Sequence, residues 1–187
     1  MTTVATPSWP DNIIARAATI KLLALDVDGV MTDGTLLFSA KGDELKAFNI
    51  LDGLGIKLLM NAGVEVAVIT GRSSPLTEKR MTDLGIKHLM QGREDKRIAL
   101  QELSTRLDID AKAIAYMGDD LPDLSAIQYA SLGLTVPNGH WFVRQHADYC
   151  TQTPGGCGAV REVCDLILEA QGQLTTALNG FGLEPKA

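Results

Sequence analysis

The sequence predicts an α/β fold, a three-layer sandwich with a mostly parallel sheet and helices on both faces. Short, nearly continuous apolar runs recur along the chain, stretches of helical spacing lie between them, and polar or glycine-containing turns follow the runs. A strand buried on both faces reads as such a run, and strand–helix alternation builds a parallel sheet through right-handed crossovers. Ile20–Leu25 is apolar apart from Lys21 and stops at Asp26, as a buried first strand would. Thr35–Phe38 and Glu44–Ile50 then break the alternation. Both are strand-like, and the turn-rich Ser39–Asp43 between them predicts an inserted β-hairpin over about 35–50. Gly53–Asn61 has helical spacing and Val64–Ile69 reads as the next core strand. Pro75–Leu84 reads as a helix opened by Ser74 and Pro75, since proline suits the first turn, and closed by Gly85, which takes a left-handed cap at little cost. Strands follow at Ile86–Met90, Ile114–Met117 and Leu132–Val136, with helices at Lys96–Leu107 and Leu121–Tyr129. A last helix is expected over Ala159–Ala170, and the polar, glycine-containing Gly172–Ala187 reads as a loose tail. The whole chain, 1–187, is expected to form one domain.

Composition excludes several classes. With 187 residues, 45% of them hydrophobic and 21% charged, the chain can bury an ordinary globular core without disulfides or a structural metal. Lys and Arg number 17 against 23 Asp and Glu, a net charge of −6, which argues against a general nucleic-acid binder. No apolar run is long enough to span a membrane, and Met1–Asn12 lacks the basic end and apolar centre of a signal peptide. Three cysteines, Cys150, Cys157 and Cys164, are too few and odd in number for a disulfide framework. A soluble cytoplasmic protein is expected.

The chemistry concentrates where strands end. Asp26-Val-Asp28-Gly closes the first run, Thr70-Gly71-Arg72 the second, and Gly118-Asp119-Asp120 the Ile114–Met117 run, with Asp123 opening the next helix. In a parallel sheet these carboxyl ends share one rim, where ligands bind. Five carboxylates (Asp26, Asp28, Asp119, Asp120 and Asp123) would converge there and repel one another without a cation. Hard oxygen donors suit Mg²⁺, and Lys96 could supply a second positive charge. Each Asp alone is better explained as a cap or turn residue. That explanation fares badly for five at corresponding strand ends.

Asp26-x-Asp28-Gly-Val, Ile69-Thr70-Gly71-Arg72, Asp95-Lys96 and Gly118-Asp119-Asp120-x-x-Asp123 resemble, in order, the four motifs of the haloacid dehalogenase superfamily of phosphatases. A closer resemblance, through Asp28–Gly34, Asp52–Lys57, Gln91-Gly92 and Gly155–Val163, is to the capless 3-deoxy-D-manno-octulosonate 8-phosphate phosphatase family of lipopolysaccharide precursor synthesis. Cys157 and Leu51 depart from the pattern or fall where relatives vary, and bear on substrate contacts rather than phosphoryl chemistry. The resemblance implies a Rossmann-like core with no cap domain. It also implies roles. Asp26 is the nucleophile, forming an aspartyl-phosphate; Asp28 is the general acid/base, with its backbone carbonyl on the metal. Asp26 and Asp119 are the carboxylate ligands of Mg²⁺, with Asp120 and Asp123 supporting the metal site or Lys96. Thr70, Gly71 and Lys96 hold the phosphoryl oxygens. Arg72, directly after the Thr70 turn, reads as a contact for the substrate carboxylate, with a surface residue as the alternative. Related nine-carbon sugar acid 9-phosphates would suit the same phosphoryl site. A phospho-acceptor signalling domain also combines clustered Asp, Thr, Lys and Mg²⁺, but it lacks a water-activating Asp28 two residues after the acceptor.

About thirty residues separate Asp33 from Val64 and twenty-five separate Thr70 from Lys96, so neither gap holds a large cap. The rim of a monomer would be open to water. Leu36, Phe38, Leu45 and Phe48 give the hairpin apolar surface that two strands cannot bury alone. A homo-oligomer is expected, a tetramer by the resemblance, with active sites shared between subunits. His88, His140 and His146 lack metal-ligand spacing with the cysteines and read as structural or surface residues. Cys164 reads as core, Cys157 as a tolerated loop residue, Trp141 and Phe142 as packing, and Arg161 as a carboxylate contact or a partner in an interhelical ion pair.

Overall fold

A computed structural model describes residues 8–182. Six strands form one sheet: β1 (Leu22–Leu25), β4 (Glu65–Ile69), β5 (His88–Met90), β6 (Ile114–Met117), β7 (Leu132–Thr135) and β8 (Tyr149–Cys150), in the order β5-β4-β1-β6-β7-β8. Every neighbouring pair in this sheet is parallel. Such strands must satisfy two apolar faces, and the side chains divide by alternation. Leu23, Leu25, Val66, Val68, Ala115 and Met117 face one layer, and Leu22, Ala24, Ala67, Ile69, Ile114 and Tyr116 the other. The first layer is built by α1 (Asp11–Ala17), α2 (Ile50–Asn61), α3 (Pro75–Leu84) and α7 (Ala159–Ala170). The second holds α4 (Lys96–Leu107), α5 (Leu124–Tyr129) and α6 (Trp141–His146).

The central position of β1 decides where a site can form. Its partners β4 and β6 lie on either side, so the loops after Leu25, Ile69 and Met117 leave the sheet side by side. This is the crevice at which open α/β sheets bind ligands. Between β1 and α2 the chain carries only the hairpin, β2 (Leu37–Phe38) with β3 (Glu44–Leu45). No cap domain occurs among the described residues.

Several local expectations are corrected. The second hairpin arm ends at Leu45, and Ile50 opens α2, whose N-cap Asn49 accepts a hydrogen bond from Leu51 N at 2.8 Å. The helix expected from Leu121 begins as a 3₁₀ turn over Leu121–Asp123. The segment read as a loose tail contains a short helix, α8 (Leu174–Asn179), and Leu174 and Ala177 pack on the core. Helices α1 and α6 and strand β8 had no counterpart in the sequence reading. Residues 1–7 and 183–187 of the segments read as the start and the tail lie outside the described residues.

Candidate active site

Asp26 is the first residue beyond β1, and its backbone N–H donates to Met117 O at 2.9 Å, which continues the β1–β6 pairing into the loop. Its carboxylate is buried, with Oδ2 3.0 Å from Lys96 Nζ. Lys96 opens α4 and also donates to Asp123 Oδ1 at 2.6 Å. Tyr116 OH donates to the same oxygen at 2.7 Å, and Asp123 Oδ2 accepts from the backbone N–H groups of Asp119 and Asp120 at 3.2 Å each. Asp123 is therefore saturated with donors. It anchors Lys96 and the Asp119–Asp120 turn rather than presenting a free oxygen.

Asp26, Asp119 and Asp123 each offer an oxygen within 4.8 Å of the others. Asp26 Oδ1 and Asp119 Oδ1 are buried and have no hydrogen-bond partner. An orphaned buried carboxylate oxygen is costly, and one on each of two carboxylates that approach this closely suits a cation bound between hard oxygens. Charge supports the same reading. Burial, then the charge of Asp123, pushes the Asp26 carboxyl up to about 7, with Lys96 opposing. Burial, then Asp123 and Asp26, pushes Asp119 up to about 7 as well. Burial alone would lower the Lys96 ammonium, but Asp26 and Asp123 outweigh it and raise it. The donor set fits a divalent cation.

Glycines make the close approach possible. Gly29 adopts φ +95°, and a Cβ there would stand 2.0 Å from Asp119 Oδ2. The loop from Asp26 to Asp33 is held from behind by the Gly155–Gly156 segment. A Cβ on Gly155 would strike Gly29 O at 1.8 Å, and Gly156 N donates to Val30 O at 2.9 Å. Asn138 Nδ2 donates to Gly29 O at 3.3 Å while its Oδ1 accepts from Gly155 N at 2.7 Å.

The remaining expected residues are distributed around an open cleft of about 330 Å³. Thr70 is buried at the end of β4 and Gly71 is half-buried after it. Asp28 stands on the rim, ion-paired through Oδ1 with Lys46 and 3.6 Å through Oδ2 from Arg72 Nε. Arg72 is not free: its Nη2 also donates to Glu44 at 3.0 Å. Asp120 is exposed and its side chain accepts from Leu121 N at 2.8 Å, a capping contact that does not reach Lys96. Arg161 pairs with Asp165 within α7 at 2.8 Å, so the expected interhelical ion pair is instead an i,i+4 pair. Trp141, expected to pack, is exposed, whereas Cys164 is buried and Cys157 exposed and free. His140 caps α6 through Phe142 N, and His88 pairs with Glu65.

Sequence reading missed Lys46, Glu44, Tyr116 and Asn138. Glu44 and Lys46 alternate on one arm of the hairpin, so their shared face could have been read, but not its target. Asp52 also has an unforeseen task. Buried on α2, it accepts from Arg161 N at 2.8 Å and so caps α7, which has no side-chain cap of its own. Burial pushes its carboxyl up to about 6 against that hydrogen bond.

A haloacid dehalogenase-like hydrolase family model matches residues 88–162. The 3-deoxy-D-manno-octulosonate 8-phosphate phosphatase KdsC of Escherichia coli K12 is 48% identical over 166 residues, covering 89% of this chain and 88% of that protein. A crystal structure of 3-deoxy-D-manno-octulosonate 8-phosphate phosphatase from Moraxella catarrhalis, in complex with magnesium ion, phosphate ion and KDO, superposes with a TM-score of 0.90. It is 46% identical and covers 91% of this chain and 98% of its own. The cobalt-bound Haemophilus influenzae enzyme is 41% identical, with a TM-score of 0.83 over 86% of this chain and 94% of its own. Likeness of this extent, spanning the strand-end residues as well as the fold, makes the chain a member of the 3-deoxy-D-manno-octulosonate 8-phosphate phosphatase family of haloacid dehalogenase-like hydrolases.

Proposed function

We propose that this protein hydrolyses 3-deoxy-D-manno-octulosonate 8-phosphate to the free sugar acid and phosphate, with Mg²⁺ and through an aspartyl-phosphate, in lipopolysaccharide precursor synthesis in the cytoplasm. The observation that carries the chemistry is the pair of buried, unpartnered oxygens on Asp26 and Asp119 beside Lys96. The relatives' substrate carries its specificity. No helix among the described residues is long and apolar enough to cross a membrane. Asp26, Asp119 and the Asp28 carbonyl would hold the Mg²⁺, which when bound offsets the charge of the phosphoryl oxygens and of the carboxylates themselves. Asp26 attacks phosphorus, and the bond to the sugar oxygen breaks as that oxygen takes a proton from Asp28. Water then attacks the aspartyl-phosphate, Asp28 takes a proton from it, and phosphate leaves. Lys96, held by Asp123 and Tyr116, faces the transferring group as a fixed positive charge. Thr70 and the Gly71 backbone complete the phosphoryl cradle. Asp120 and Asp123 support the acidic turn, and Arg72, the exposed cation among the residues lining the cleft, takes the sugar-acid carboxylate. The test is kcat/KM over a panel of sugar phosphates with Mg²⁺. The eight-carbon substrate should exceed a nine-carbon sugar acid 9-phosphate by roughly tenfold or more. The reverse order would move the assignment to the longer sugar, and stoichiometric phosphorylation without phosphate release would favour a signalling acceptor.

We also propose one domain over the chain and a homotetramer with shared sites. Leu36, Leu37, Phe38, Leu45, Ile50, Leu51 and Leu54 are all exposed within one stretch of chain, and exposed apolar residues grouped in this way favour an interaction surface. Phe48, first grouped with them, is half-buried against the core. Phe38, 61% exposed, is the most accessible of the large apolar residues on the hairpin strands. Phe38→Asp should reduce the mass measured by light scattering and lower kcat/KM together. A fully active monomer at assay concentration would refute the shared site.

A further inference from the structure

We propose that Lys46 is a positioning residue for phosphoryl transfer: from the inserted hairpin it holds Oδ1 of Asp28 and leaves Oδ2 as the oxygen that exchanges the proton. The inference rests on the reading of Asp28 as general acid/base. Lys46 sits just beyond β3, next to Leu45, which is 59% exposed, yet its own side chain is only 2% exposed. An ammonium withdrawn this far from water needs a charged partner. It takes Asp28 Oδ1, with Glu44 Oε1 3.6 Å away. Glu44 in turn holds Arg72, whose Nε lies 3.6 Å from Asp28 Oδ2. Lys46 is not among the residues lining the cleft, and its contact with that lining runs through Asp28.

The arrangement answers a geometric need. Asp28 lies in a loop past the strand, and among the described residues no other hydrogen-bond donor fixes Oδ1. Without Lys46 the carboxylate could turn about its side-chain bonds, and proton transfer falls off steeply when donor and acceptor are misplaced. With Oδ1 fixed, a proton on Oδ2 can pass to the sugar oxygen as its bond to phosphorus breaks. The same oxygen can then take the proton of the attacking water as the Asp26–phosphorus bond breaks. The hairpin thereby does more than carry apolar surface: it brings the residue that orients the acid.

The test compares leaving groups. A sugar alkoxide needs a proton to depart, whereas p-nitrophenolate does not, and kcat/KM reports the steps through departure of the leaving group. Lys46→Met should lower kcat/KM for 3-deoxy-D-manno-octulosonate 8-phosphate by roughly 10–100-fold. For p-nitrophenyl phosphate the loss should stay within about threefold, because proton donation is the term removed. Lys46→Gln keeps a neutral donor for Oδ1 and should fall between wild type and Met; it carries the same comparison if the Met variant does not fold. Equal losses on both substrates at unchanged light-scattering mass would mean a structural role and overturn the inference, as would no loss on either. Asp28→Asn is measured in parallel. If it keeps substantial turnover of the sugar phosphate, the acid/base reading itself fails; if it loses turnover while Lys46→Met does not, only the role of Lys46 fails.

Discussion

Asp26→Asn is expected to abolish turnover, lowering kcat by at least about 10⁴-fold, while leaving the protein as stable as wild type or more so. An amide cannot form the aspartyl-phosphate, and loss of a covalent nucleophile costs on this scale even where the rest of the site is intact. Folding should survive because the amide keeps an oxygen for Lys96 Nζ, which in the wild type lies 3.0 Å from Asp26 Oδ2. Stability has a definite pH signature. The Asp26 carboxyl is raised from 3.8 to about 7 in the folded, metal-free protein by burial first and then by Asp123. A raised folded pKa contributes stability fully below the unfolded value of about 4, and that contribution is lost as pH rises through about 7. The thermal midpoint of metal-free wild type should therefore fall between pH 5 and pH 8, in ranges set by these two values. Asp26→Asn should make that fall smaller, because the amide does not titrate, and leave the part that belongs to Asp119 and Asp52, whose carboxyls burial also raises, to about 7 and about 6. Phosphate release and thermal melts in EDTA measure both. Substantial reproducible turnover by the Asn variant would sink the nucleophile assignment.

What could be read before the structure was whatever the chain encodes locally. Ile20–Leu25, Val64–Ile69 and Ile114–Met117 announce themselves because strands buried on two faces leave no place for polar residues. Their ends are equally legible: Asp26, Thr70 and Asp119 lie where an apolar run stops, and β1 between β4 and β6 brings those stops together. Lys96 was visible as a cation opening a helix. Its bond to Asp123 spans 27 positions, and only the resemblance, not the local pattern, pointed to Asp123 as a support for Lys96 or the metal site. The same limit hid Lys46, whose partner Asp28 depends on how a five-residue turn folds the hairpin back, and Asn138, which joins two loops far apart in sequence. Ile50 was misread for a different reason. A short apolar run fits a strand or the first turn of a helix equally well, and Asn49 as N-cap was the overlooked local signal. The six-residue α6 and α8 and the two-residue β8 are too short to show a period at all. Asp52 caps a helix that begins more than a hundred residues later, a task no window along the sequence contains.

Removal of the metal should silence the enzyme, and Mg²⁺ should restore it with an affinity that rises steeply with pH up to about 7 and then levels. The direction follows from the acidic pair. Asp26 and Asp119 both titrate near 7 when no cation is present, Asp119 through burial and then the charges of Asp123 and Asp26. Below that pH a proton occupies a carboxylate that must be ionised to bind a cation, so binding releases protons and is weakened by acid. Above it both carboxylates are ionised, their repulsion is at its greatest, and a divalent ion relieves it. Titration calorimetry in two buffers of different ionisation enthalpy should therefore register proton release at pH 6 and much less at pH 8, on either side of the value near 7. Asp119→Ala removes one of the two buried, unpartnered oxygens and should weaken Mg²⁺ by roughly 10–100-fold, with the remaining proton release belonging to Asp26. Ca²⁺ should substitute poorly, since its larger and looser coordination would misplace the Asp26 carboxylate relative to phosphorus. Asp123→Ala separates anchoring from ligation: Asp123 is saturated by Lys96, Tyr116 and two backbone N–H groups, so its loss should free Lys96 and lower kcat more than it weakens Mg²⁺. Full activity after rigorous chelation, or a Mg²⁺ affinity indifferent to pH between 6 and 8, would contradict this account of the acidic site.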